Sequence, residues 1–129
     1  MTKRKIELTE GEWSIMKAVW DLEPCAAPTV QEALQPIRNW SYSTVRTMMD
    51  RMVTKGLLKA EKIRNLTMYR AAVTAEQAQR GEALYALKNA FNGALTPMIQ
   101  CLLGNNPIDP AELDKLERLI REKRKEPKS

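Results

Sequence analysis

The chain has 129 residues, 43% hydrophobic and 29% charged, with a formal net charge of +5, two cysteines and no histidine. Those figures fit one small soluble domain, or two small units, and they exclude the usual zinc spacings and any Ser–His or Cys–His nucleophilic site. No apolar run of about 18 residues spans a membrane, and the start MTKRKIELTEGE lacks the apolar core of a secretory signal, so the expected location is cytoplasmic.

The first predicted helix runs from Thr9 to Trp20. Thr9 and Glu12 make a capping box, and Trp13, Met16 and Trp20 share a face widened by Ile15 and Val19. Pro24 and Pro28 bracket a loop that holds Cys25. A second capping box, Thr29 with Glu32, opens a short helix carrying Val30, Ala33 and Leu34 and stopping at Pro36. Trp13, Trp20 and Trp40 are expected in the core, because indoles bury large areas. Both Cys25 and Cys101 are expected to be buried thiols rather than redox or metal groups.

Ser41 to Gly56, SYSTVRTMMDRMVTKG, reads as a third helix with two unlike faces. Val45, Met48, Met49 and Met52 recur at i, i+3, i+4 and i+7, which places them on one side. Ser43, Thr44, Arg46, Thr47, Asp50, Arg51 and Thr54 fill most of the rest. Ser41 is the expected N-cap and Gly56 the left-handed closing residue, with Lys55 set against the negative end of the helix dipole. Short hydroxyl side chains and arginines on one helix face suit the major groove of DNA. Residues 36–70 carry eight Lys/Arg against Asp50 and Glu61, a balance of +6. The flanking segments, 1–35 and 71–129, balance at −2 and +1, so nearly all the surplus lies in the middle third.

After Gly56 the pattern changes to short strands. Leu57 to Lys62 and Met68 to Val73 read as the arms of a hairpin, with a polar tip from Ile63 to Thr67. Three helices followed by a hairpin is the order of a winged helix-turn-helix. The expected fold is therefore mainly α, with a winged helix-turn-helix over residues 1–73 and a helical dimerisation region over 74–129 that ends in a short basic tail.

In that second region Leu84, Leu87 and Phe91 line up on one helix. Thr96 as N-cap and Pro97 at N1 start the next, which, with Leu95 ahead of it, carries Met98, Ile99, Leu102 and Leu103. Asp109, Pro110 and Glu112 start the last, with Leu113, Leu116, Leu119 and Ile120 on its apolar side and REKRKEPKS as a fraying tail. Three amphipathic helices this short cannot bury these side chains among themselves. A C2 homodimer formed through Leu84, Leu87, Phe91, Leu95, Met98, Ile99, Leu102, Leu113, Leu116 and Ile120 is the expected solution.

On the third helix, Arg46 is the candidate for a bidentate guanine contact. Ser43, Thr44 and Thr47 are the candidates for base or phosphate contacts, and Ser41, Tyr42 and Arg51 mainly for phosphates. Arg64 at the hairpin tip is assigned to phosphate or minor groove. Asp50 is expected to pair with a neighbouring cation. No catalytic residue, metal site or cofactor is expected, for there is no phosphate-binding glycine loop and no cysteine pair. A winged-helix protein–protein module and a ligand-responsive regulator stand as alternatives to a DNA-binding repressor.

The stretch E-W-x-I-M-K-x-x-W from Glu12 to Trp20 resembles the penicillinase and methicillin-resistance repressor family of BlaI/MecI type. So do Trp40-Ser41, Thr44-Val45, Thr47-Met48, Arg51-Met52 and Lys55-Gly56-Leu57, with weaker matches at Phe91-Asn92 and Glu112-Leu113. The resemblance implies a homodimeric winged-helix repressor of its own operon and of resistance or stress genes. It also implies relief of repression when a membrane sensor's signalling leads a protease to cut within the dimerisation helices. The best-known members are cut at an Asn-Phe bond, and the matching pair here is Cys101-Leu102. Related copper-responsive repressors carry Cys-x-Cys motifs that this chain lacks, and the residue after Ser41, often proline in the family, is Tyr42.

Overall fold

The computed structural model describes residues 7–127. Six helices and one hairpin follow in the order α1 (Glu10–Leu22), α2 (Ala27–Arg38), α3 (Tyr42–Thr54), β1 (Leu58–Ile63), β2 (Leu66–Ala71), α4 (Ala75–Phe91), α5 (Leu95–Gly104) and α6 (Pro110–Lys125). Two compact units part between Ala86 and Leu87, within α4. The 73/74 division read from the sequence falls at the linker just ahead of that helix.

The first unit is built on local signals that mostly act as expected. Thr9 and Glu12 form a complete capping box at the start of α1, with Thr9 N–H donating to Glu12 Oε1 at 2.9 Å and Glu12 N–H to Thr9 Oγ1 at 3.2 Å. The second capping box does not form. Helix α2 starts two residues earlier than Thr29, on an Ala26 cap without a side-chain bond. Pro28 near its first position takes over, because the missing N–H there has no intrahelical partner in any case. Pro36 does not end the helix either. It sits in the last turn, and α2 runs on to Arg38 before Asn39 turns left-handed at φ 52°.

Ile15, Met16, Val19, Val30, Val45, Met49, Met52 and Leu58 are fully buried among α1, α2, α3 and the hairpin. At about 25 cal/mol per Å2 of apolar surface, this cluster is what holds the unit together. The tryptophans do not sit inside it. Trp13, Trp20 and Trp40 are half-buried along its rim, where Trp20 Nε1 donates to the Val73 carbonyl at 3.0 Å and Trp13 meets Trp20 edge-on. The aromatic ring that does fill the core is Tyr69 of β2, with no exposed surface. Gly11 lets α1 come close to α3. A Cβ there would lie 3.0 Å from the end of Met48 and 3.3 Å from Trp40.

The hairpin is tighter than its sequence suggests. Strand pairing runs without a break from Leu58 opposite Ala71 to Ile63 opposite Leu66. The tip is therefore the two residues Arg64 and Asn65, both with positive φ (51° and 68°), the type I′ pattern that matches strand twist. Beyond Leu58 the whole of β1 is exposed, so the expected half-buried alternation is absent from that arm. A third backbone segment joins through Cys25, which exchanges both main-chain bonds with Tyr69 (2.7 and 3.1 Å).

Thr74 caps α4 through a capping box with Gln77, and Ala78 is buried against the first unit's core. In the second unit, α5 starts at Leu95 on an Ala94 cap, without the Thr96 cap expected from the sequence. Positive φ at Asn92 and Gly93 turns the chain early enough for Leu95 to begin the helix, leaving Pro97 inside a first turn that tolerates it. Asp109 caps α6 as expected, accepting from the Ala111 N–H at 3.0 Å. The presumed fraying tail is helical as far as Lys125. Lys123, Arg124 and Lys125 in the last turn face the negative end of the dipole and favour the extension.

Candidate nucleic-acid interface

Ser41 caps α3 by accepting from the Thr44 N–H at 3.2 Å, and its hydroxyl also lies within bonding reach of Ser43 Oγ and Thr44 Oγ1. Its closing turn is fixed by Lys55 at the C-cap and by Gly56 at φ 85°. Buried Val45, Met49 and Met52 set the rotation of the helix, so the opposite face must point outward. Tyr42, Ser43, Thr44, Thr47 and Arg51 are all exposed. Four of them, Ser43, Thr44, Thr47 and Arg51, line one shallow depression together with Met48. Arg64 is exposed at the wing tip and takes no part in that depression.

Arg46 lies off this strip and is not a loose cation. Its Nε donates to Asp50 Oδ2 at 3.2 Å, and Nη1 lies 3.4 Å from the Tyr42 hydroxyl. The Tyr42 contact and the charge of Asp50 hold the guanidinium firmly protonated. Asp50 thus has the cationic partner its sequence position predicts, and a neutral hydrogen-bond donor that the sequence did not suggest. The Tyr69 hydroxyl donates to Asp50 Oδ1 at 2.8 Å. Burial and the neighbouring carboxylate push the Tyr69 phenol far above its usual range, so it remains a donor at any physiological pH.

Lys55 also serves a purpose other than the one expected. Its Nζ meets both oxygens of Glu12 (2.7 and 2.9 Å), tying the end of α3 to the start of α1. Burial raises the Glu12 carboxyl, but Lys55 and the Thr9 N–H outweigh it and hold the group below its ordinary value. Sequence spacing could not reveal a pair 43 residues apart.

Among the residues assigned to dimerisation, Leu84, Leu95, Ile99, Leu102, Leu113 and Ile120 are exposed on the single chain, and Leu87, Phe91, Met98 and Leu116 are half-buried. Cys25 is buried, and burial raises its thiol pKa. Cys101 is exposed, contrary to expectation, on a helix in which no residue is buried in the single chain. Cys101 and Leu102 lie inside α5, and Leu102 is exposed as well. Among the described residues there is no cluster of three or more His, Cys, Asp or Glu side chains fit for a metal, and no helix long and apolar enough to cross a membrane.

Three helices, a capped third helix with an outward polar face, and a hairpin directly after it define a winged-helix DNA-binding protein. The family model described as "Penicillinase repressor" matches residues 8–122, and the chain belongs to that family of transcriptional repressors, which are not enzymes. Over 123 residues the chain is 20% identical to the methicillin resistance regulatory protein MecI of Mammaliicoccus sciuri, covering 95% of this chain and 100% of that one. It is 23% identical over 120 residues to the penicillinase repressor of Bacillus licheniformis, covering 93% and 94% of the two chains. In structure it resembles the DNA-binding domain of the repressor BlaI (TM-score 0.51, 24% identity, 59% of this chain and 93% of that one). The Bacillus licheniformis BlaI monomer in complex with the blaP half-operator matches over the same shares at a TM-score of 0.50.

Proposed function

We propose that this repressor acts as a homodimer on a pseudo-palindromic operator, with α3 of each protomer in a major groove. The observation that carries this reading is the exposed strip Ser43, Thr44, Thr47 and Arg51 on a helix whose rotation the core fixes. The half-operator complex of the Bacillus licheniformis relative supports it. Arg46 reads a guanine edge, Ser41, Tyr42 and Arg51 grip phosphates, and Arg64 on the wing adds a contact that carries no base information. The second unit supplies the dimer. The targets are the repressor's own operon and resistance or stress genes, and cutting at Cys101-Leu102 by a sensor-linked protease ends repression in the cytoplasm.

The test is a salt-series titration with duplex DNA from upstream of the chain's own gene, against a scrambled duplex. Tight binding to the first alone, with affinity falling steeply as salt rises, is the expected result, because each neutralised phosphate releases counterions. Arg46→Ala should erase a base preference at one position of each half-site, at about 1–3 kcal/mol. Arg64→Ala should weaken both duplexes alike and flatten the salt slope by about one. The reverse pattern, or equal weak binding to both duplexes by the unaltered protein, sinks the assignment.

A further inference from the structure

A guanidinium that reads a base edge must present two parallel N–H donors at a fixed angle, and a free arginine on a helix surface has too many rotamers to do so cheaply. Arg46 has its inner side occupied. Nε donates to Asp50 (3.2 Å to Oδ2 and 3.4 Å to Oδ1) and Nη1 to the Tyr42 hydroxyl at 3.4 Å, which leaves the end-on Nη1/Nη2 edge, with one hydrogen from each nitrogen, as the edge not turned to Asp50. A plain i,i+4 pair would account for the Arg46–Asp50 contact alone. It does not account for Tyr69. That ring is wholly buried, its main chain is bonded on both sides to Cys25, and its hydroxyl emerges from the core onto the other oxygen of the same carboxylate at 2.8 Å. Asp50 is therefore positioned by the core, and Arg46 by Asp50.

We propose that Asp50 and Tyr69 are positioning residues for operator readout, holding Arg46 so that its outer edge meets a base such as guanine while neither of them touches DNA. The proposal rests on the reading of α3 as a major-groove helix. It also assigns β2 a part in sequence discrimination beyond carrying the wing. Asp50 is a negative charge on a face that meets phosphates, so it costs affinity for any duplex. Its removal should therefore move two quantities in opposite directions. Discrimination at the Arg46 position should fall, and affinity for unrelated DNA should rise.

The experiment is selection from a random duplex library with the full chain, followed by titrations on the selected duplex and on a scrambled one. The proteins are the unaltered chain, Asp50→Ala, Asp50→Asn, Tyr69→Phe, Arg46→Ala and the Arg46→Ala/Asp50→Ala double variant. Asp50→Ala should lose about tenfold in preference at one position of each half-site, a coupling of ordinary size for contacting groups, and gain affinity for scrambled DNA. Asp50→Asn should move both readouts in the same directions but less. Tyr69→Phe should lose part of the same preference, with every other position unchanged. The double variant should select the same bases as Arg46→Ala alone. Preferences in Asp50→Ala that match the unaltered chain, or losses spread over positions that Arg46→Ala leaves intact, overturn the proposal. If the Asp50 and Arg46 effects add, Asp50 does not act through Arg46 and the proposal fails. Selection of no sequence by the unaltered chain would mean instead that the operator reading itself is wrong. A motif unaffected by Arg46→Ala keeps the operator reading and removes this one. Thermal unfolding of each variant separates loss of readout from loss of fold.

Discussion

The two units of this chain treat their apolar side chains in opposite ways. In the first, most leucine, isoleucine, valine and methionine side chains of the three helices enter one cluster that also takes in Tyr69 and Ala78, while Leu22, Ile37, Ile63 and Leu66 stay exposed. In the second, no described residue of α5 or α6 is buried, although both helices carry leucine and isoleucine stripes. The same residue types in similar amphipathic helices therefore end in different environments. What differs is the number of surfaces available: α1, α2, α3 and the hairpin enclose one another, and two short helices cannot. A unit this small seldom buries enough apolar surface by itself and usually takes help from outside. On our reading that help is a second copy.

The sharpest way to break this comparison is to charge the second unit's stripe. Replacing Leu116 and Ile120 with Asp should give monomers in analytical ultracentrifugation. Operator affinity should drop by about a hundredfold or more, because one half-site then binds without its linked neighbour. A persistent dimer would place the interface elsewhere. In the first unit, Met49→Ala should cost about 2–5 kcal/mol in denaturant unfolding, the usual cost of emptying a core side chain, and should do so whatever the protein concentration. A midpoint shift that depends on concentration would show the two units sharing one folding transition.

The smallest effect concerns the clasp between α1 and α3. Lys55 is about half exposed, so Lys55→Ala should cost about 1 kcal/mol near neutral pH. The sign with pH follows from Glu12. Its carboxyl is held below its ordinary 4.5 in the folded chain, so the contribution is full above that value and disappears as pH falls through the lowered one. The difference between the two proteins in urea unfolding should therefore shrink on acidification from pH 7 to pH 3. A constant difference would mean that Lys55 acts through packing of its methylene chain.

Where a single local signal stood unopposed, the sequence mostly contained the answer. The Thr9–Glu12 box, the Ser41 cap, the Met stripe of α3, Gly56 and the Asp109–Pro110 start all depend on residues within one turn. The misreadings arose where two local rules competed. Pro28 and the Thr29–Glu32 box both offer a start for α2, and the fixed φ of proline prevailed. Arg64-Asn65 forms a primed turn without the glycine that normally marks one. The remaining gaps are contacts between distant residues. Nothing near Tyr69 in the sequence says that its ring is buried or that its hydroxyl reaches Asp50, and Lys55 gives no sign of Glu12. For the candidate interface this means that the exposed strip was legible, whereas the restraint on Arg46 required the fold.

The unbroken register of the wing has a consequence for how such a protein can change. Each cross-strand pair added to the hairpin carries its tip outward by about 3.4 Å and turns it to the opposite face of the sheet. Arg64 can therefore keep its orientation only if pairs are added or removed two at a time, in strides of about 7 Å. Its reach is quantised, and a lineage that needs a contact at some intermediate distance must obtain it by changing the side chain at the tip.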